Sequence, residues 1–328
     1  MKLQRMAITL LLLGAAVIFL ICGCADGSRT EPPSGNTEQT LKVGILPNEE
    51  ILPVYVAEQE GIFEKLGLQV ELINFQSAAE RDAALQAGAV DGVEGDLLAV
   101  ALIRQGGTPV KAVSLVMGAT PAEGRFTLLA APGSAIEVKD LKGKQIAISQ
   151  NTIIEYVADQ MLLANGIDPK DVKKVNVAKM PLRMEMLLQN RVAAAVLPDP
   201  LASYAELKGS RVLIDDTKME DNISQSVFFF RDEVIKTKKD AINKFLRAYA
   251  EGARKVTENP ERYRDLFNEK VQIPVELQKS YPVPTFSPLQ LPSREDTQRV
   301  IDWLKAKELL KEPFSYEDLV TDEAIKAE

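Results

Sequence analysis

Leu68-Gln-Val-Glu-Leu-Ile-Asn-Phe75 alternates apolar with polar side chains, Ser77-Ala-Ala-Glu80 follows at once, and a second apolar run spans Val90 to Val93. Alternation is the period of a strand. A serine with a glutamate three residues on is the reciprocal cap that opens a helix. Strand, helix and strand in so short a stretch form a unit whose two strands run parallel. Outward from it the same reading continues. Leu41 to Leu46 is an apolar strand stopped by Pro47, Pro53 to Lys65 a helix ended by Gly67, Leu97 to Gln105 a helix, and Val110 to Met117 a fourth strand. The order predicts an α/β fold with a mainly parallel sheet and helices on both faces.

The pattern recurs. Gln145 to Ser149, Val172 to Val177 and Ala193 to Leu197 read as strands; Thr152 to Asn165 (closed by Gly166), Pro181 to Gln189 and Pro200 to Leu207 read as helices. Shifted by about 103 positions, Leu85, Gln86, Val93, Asp96, Leu98 and Ala99 meet Leu188, Gln189, Val196, Asp199, Leu201 and Ala202. Two related lobes follow, with two mainly parallel sheets. Apolar segments at Phe126 to Ala131 and Ser226 to Phe230 are the expected crossovers, and two crossovers make a hinge over a cleft. The expected divisions are residues 41–127 with 228–328 for lobe one, and 128–227 for lobe two. Helices at Lys238 to Glu258, Pro260 to Phe267 and Ser293 to Ala306 are expected to pack back on lobe one.

Composition narrows the chemistry. There is no histidine, and the only cysteines are Cys22 and Cys24. Histidine-dependent nucleophilic catalysis, thiolate metal sites and disulfides within the body are therefore excluded. No catalytic residue, cofactor or metal is expected, although carboxylate chemistry stays open. With 39 Lys and Arg against 47 Asp and Glu and no basic cluster, nucleic acid is not an expected partner.

Lys2 and Arg5 precede an uncharged apolar run from Ala7 to Ile21, the layout of an export signal. Ile21-Cys-Gly-Cys24 at its end resembles a bacterial lipobox. The resemblance implies a signal peptide over residues 1–23, a diacylglycerol thioether on Cys24, and attachment to the extracytoplasmic face of the cell membrane. The polar stretch over residues 24–40 reads as a flexible tether. The alternative is an uncleaved anchor, for which the run is short against the roughly 20 apolar residues that a span requires.

Several phrases in the body resemble one family. They are Pro53-Val-Tyr-Val-Ala57, Glu60-Gly-Ile-Phe63, Gly67-Leu-Gln-Val70, Glu80-Arg-Asp-Ala-Ala-Leu-Gln-Ala-Gly88 with Val90-Asp-Gly92, Leu141-Lys-Gly-Lys144, Leu163-Ala-Asn-Gly166 and Asp199-Pro200. Together they resemble the substrate-binding lipoproteins of ABC importers, in the group of sulfonate, taurine, nitrate and thiamine-pyrimidine receptors. The resemblance implies a type II periplasmic-binding-protein fold, capture of a small molecule by lobe closure, a permease with its ATPase as partner, and a monomer.

Ligands of open α/β sheets sit at the carboxyl ends of the strands. The candidate ligand-binding residues are therefore Asn48, Glu49, Tyr55, Gln76, Ser77, Glu94, Asp96, Met117, Gln150, Asn151, Thr152 and Asp199. Ser77, Asn151 and Thr152 have helix capping as a rival role. So do Asp96 and Asp199, the latter with Pro200 at the expected first helical position. Tyr55 has core packing as its rival. Arg125, Lys179 and Arg183 are the nearby cations. The acidic balance favours an amino-bearing or neutral nitrogen heterocycle such as a pyrimidine, with a sulfonate- or nitrate-type anion as the alternative. An enzyme of menaquinone or pyrimidine biosynthesis on the same fold is the rival class, and a sensory lipoprotein is a third reading.

Overall fold

The computed structural model describes residues 39–325. The expected signal peptide, Cys24 and nearly all of the expected tether lie outside them. Gln39 and Thr40, assigned to the tether from sequence, are instead the first residues of β1 (Gln39–Ile45). Then come α1 (Leu52–Gln59), α2 (Ile62–Lys65), β2 (Leu68–Asn74), α3 (Ala78–Gln86), β3 (Gly92–Gly95), α4 (Leu97–Gln105) and β4 (Val110–Met117). The single helix expected over 53–65 is thus broken in two. Gly61 adopts φ 65°, a left-handed conformation that ends one helix and starts the next. The third strand also lies two residues later than expected, because Gly92 and Gly95 pair in the ladder rather than turning.

The chain then forms β5 (Phe126–Ala130), β6 (Gln145–Ile148), α5 (Ile153–Ala164), β7 (Lys173–Asn176), α6 (Met180–Leu188), β8 (Ala194–Pro198), α7 (Leu201–Leu207) and β9 (Arg211–Asp215). It closes with β10 (Ser226–Arg231), α8 (Asp232–Thr237), α9 (Lys239–Glu258), α10 (Arg264–Lys270), α11 (Arg294–Ala306) and α12 (Tyr316–Leu319).

Two five-stranded sheets result, ordered β2-β1-β3-β10-β4 and β7-β6-β8-β5-β9. They share one plan. The first three strands of each are parallel, and the fourth place is taken by a crossover strand running antiparallel to both neighbours. Each lobe is therefore completed by the strand that follows the other lobe. β5 enters the second sheet just after β4 ends the first, and β10 returns to the first after β9.

Burial on both faces explains the apolar character of these strands. Phe228, Phe229 and Phe230 are fully buried, and the Phe228 ring meets Phe245 and Tyr249 of α9 edge-on at 5.0 and 5.1 Å. α9 packs against α1, β1 and β2, so the long C-terminal helix belongs to lobe one. α11 packs on α4 of the same lobe, but its Trp303 Nε1 donates to Asp159 Oδ2 of α5 in lobe two at 3.1 Å. Among the described residues no helix is long and apolar enough to cross a membrane.

Candidate functional site

The strand ends of the two sheets face one another across a cavity of about 730 Å³, its mouth included. From lobe one, β1 delivers Asn48, Glu49 and Glu50, and β3 delivers Glu94 and Asp96. From lobe two come Thr152 ahead of α5, Arg183 on α6 and Asp199 after β8, with Arg125 just before β5. Six of the sequence-predicted residues thus meet at one place: Asn48, Glu49, Glu94, Asp96, Thr152 and Asp199.

Capping fixes several of them. Asp96 Oδ1 accepts from Ala99 N at 2.8 Å at the start of α4, and Thr152 Oγ1 accepts from Ile154 N at 3.3 Å. The helix after Asp199 begins at Leu201, one residue beyond the expectation, with Pro200 in the cap position. Asp199 Oδ1 nevertheless reaches Ser203 N at 2.9 Å and Ser203 Oγ at 2.8 Å. These side chains position the walls while their remaining faces line the cavity.

The other six candidates lie off this lining. Tyr55 packs in lobe one near Asn74 and Lys270. Ser77 is buried and caps α3, accepting from Glu80 N at 3.3 Å. Gln76 and Gln150 are exposed, and Met117 is buried beneath Gly124. Asn151, with φ 56°, borders a smaller neighbouring cavity. Four charged residues of the lining lie outside the candidate set: Glu50 and Arg81, which the sequence did not single out, and Arg125 and Arg183, which it marked only as nearby cations.

Carboxyl groups dominate the electrostatics. Burial pushes Glu49 up to about 7, and Asp199 across the cleft adds to the shift against a hydrogen bond from Tyr281. Tyr281 Oη donates to Glu49 Oε2 at 2.7 Å. Glu50 lies well above the usual carboxylate range, through burial and then the adjacent Glu94. Burial likewise raises Asp96 to about 6 despite Arg81. Glu94 is 2% exposed and its Oε2 has no partner. The cations are mostly occupied: Arg125 pairs with Asp199 at 3.4 Å, Glu206 at 2.9 Å and Asp215 at 3.0 Å, and Arg81 pairs with Asp82 at 2.8 Å. Among the described residues no group of three or more His, Cys, Asp or Glu is placed to hold a metal ion. Chemically, the arrangement can surround a small polar molecule and offer it acceptors and protonated carboxyls.

Comparison with known proteins agrees with this architecture. The profile of the family described as NMT1/THI5 like matches residues 48–263. A Brachyspira hyodysenteriae protein named as an ABC transporter periplasmic binding protein is 27% identical, over 75% of this chain and 72% of its own. A Chloroflexus aurantiacus protein named riboflavin-binding protein RibY is 25% identical, over 80% and 78%. The solved alkanesulfonate-binding protein SsuA from Xanthomonas axonopodis pv. citri, bound to MOPS, superposes with a TM-score of 0.73 at 18% identity, covering 85% of this chain and 97% of its own.

Proposed function

The chain belongs to the NMT1/THI5-like family, and on that premise we infer that it serves an ABC importer as the substrate-binding component. Its two lobes close on an amino-bearing or neutral nitrogen heterocycle, such as a pyrimidine. The observation that carries the ligand class is the cavity's surplus of carboxyl groups. Glu49, Glu50, Glu94, Asp96 and Asp199 line it, while two of its three guanidinium groups already have carboxylate partners. Raised carboxyls can donate as well as accept, which suits ring nitrogens, amino groups and ring carbonyls. A ligand with acceptors only would leave Glu94 Oε2 without a donor. The names of relatives do not choose between the classes: at 25% identity each, one is named for riboflavin, a nitrogen heterocycle, and a Bacillus subtilis protein for aliphatic sulfonates.

The apolar leader and Ile21-Cys-Gly-Cys24 support tethering through a lipid on Cys24 beside the permease and its ATPase. A Cys24→Ala chain should then leave the membrane fraction, and unchanged membrane retention would defeat the anchor. The ligand class is tested by calorimetric titration of the full chain in detergent micelles against pyrimidines, flavins, amino acids and aliphatic sulfonates. A nitrogen heterocycle should bind, with affinity lost in Glu94→Ala. Binding of sulfonates alone would replace this reading with the anion receptor.

A further inference from the structure

Arg183 is the cavity residue for which neither the fold nor a simple amine supplies a counter-charge. Its side chain is fully buried on α6. Nε donates to Val196 O at 2.9 Å, and Nη1 to Val177 O at 2.8 Å and Ala178 O at 3.4 Å. Nη2 has no partner. Strand-end carbonyls thus hold the guanidinium fork in one orientation without neutralising it. Among the described residues no carboxylate pairs with it, and burial alone draws it down to about 10. Arg81, the other fully buried arginine of this cavity, differs on that point. It pairs with Asp82 and also lies near Glu94 and Asp96.

A buried charge without a counter-charge is costly, and a site that retains one is complete only when an anion arrives. On the facing wall the need is opposite. Glu50 and Glu94 crowd each other, and Glu94 Oε2 lacks a donor. One lobe therefore lacks a donor and the other lacks an anion, with the cavity between them.

We propose that the ligand is a zwitterion, its amino group received by Glu50 and Glu94 of lobe one and its carboxylate or sulfonate by Nη2 of Arg183 in lobe two. This rests on the receptor reading and sharpens its ligand class. It also gives closure a cause. A ligand carrying only the amine satisfies lobe one in either state, whereas a ligand carrying both ends completes both walls only when the lobes meet.

The test compares matched ligands on the unaltered full chain in detergent micelles, by calorimetry. One set is 5-(aminomethyl)pyrimidine-4-carboxylate, 5-(aminomethyl)pyrimidine and pyrimidine-4-carboxylate. The other is 3-aminopropanesulfonate, propylamine and propanesulfonate. In at least one set the zwitterion should bind at least tenfold more tightly than either half. Arg183→Gln should bring the zwitterion down to the affinity of its amine half and leave that half within twofold. Arg183→Lys, which keeps the charge and loses the fork, should fall between. An amine half as tight as the zwitterion overturns the proposal and leaves the heterocycle receptor standing. An acid half as tight as the zwitterion overturns both. Silence from both sets overturns the zwitterion, while a heterocycle found in the wider screen would still support the receptor.

Discussion

Glu49 holds a proton near neutrality because burial and Asp199 favour its uncharged form, and that makes stability depend on pH in a definite direction. Its folded value of about 7 stands above the ordinary 4.5, so the native state binds the proton more tightly than the unfolded chain. Its contribution is full below about pH 4.5 and is lost as pH rises through 7. The shift corresponds to about 3 kcal/mol. Urea melts of Glu49→Gln should therefore show a flatter fall in stability between pH 5 and 8 than the unaltered chain, by up to that amount. An identical slope would mean that Glu49 is ionised throughout. Asp216, raised to about 7 by burial, keeps part of the slope in either protein. At this scale the strand-end residues were legible because a polar side chain just past an apolar run has few places to go. Tyr281 was not, and Arg183 was legible as a nearby cation but not as a buried one. The arginine is buried by carbonyls of Val177 and Val196, and the tyrosine meets Glu49 from 232 residues away.

Helices and strands were legible to within a residue or two wherever a cap marked them, as at Ser77 and Asp96. Glycine was harder to read. Gly61 breaks a helix that looked continuous to Gly67, while Gly92 and Gly95 sit inside a strand. The insertion of β5 and β10 into the fourth place of the opposite lobe's sheet is non-local, and no periodicity encodes it. The packing of α9 on α1 turns on one glycine. A Cβ on Gly252 would lie 2.2 Å from the Pro53 carbonyl oxygen, a backbone atom that cannot rotate away. Alanine would gain about 1 kcal/mol of helix propensity, but the overpacking should outweigh it and leave Gly252→Ala destabilised by about 1–3 kcal/mol. Denaturant melts would show this, and a variant as stable as its parent would mean that the helices separate without cost.

The lobes of the whole molecule also touch away from the ligand cavity, and the two sets of contacts differ in kind. One set is exposed: Lys208 Nζ to Glu276 Oε1 at 2.9 Å and Lys179 Nζ to Glu80 Oε1 at 3.4 Å. The other is buried. Trp303 donates to Asp159, Lys307 Nζ reaches Glu155 Oε1 at 2.7 Å, and the Trp303 ring meets Tyr156 edge-on at 5.6 Å. Exposed ion pairs contribute roughly 0–1 kcal/mol. A buried donor–carboxylate bond contributes about 1.5–3 kcal/mol, so the α11–α5 contact should hold the closed state. Trp303→Phe keeps the ring and removes the donor, which should leave Asp159 paired with Lys174 of its own lobe but without its bond across the lobes, and raise the ligand dissociation constant about tenfold. Lys208→Met should leave it within about twofold. Small-angle scattering should show the tryptophan variant more extended without ligand and equally compact with it. If Lys208→Met opens the molecule and Trp303→Phe does not, the buried contact belongs to both states, and closure is governed from the exposed side.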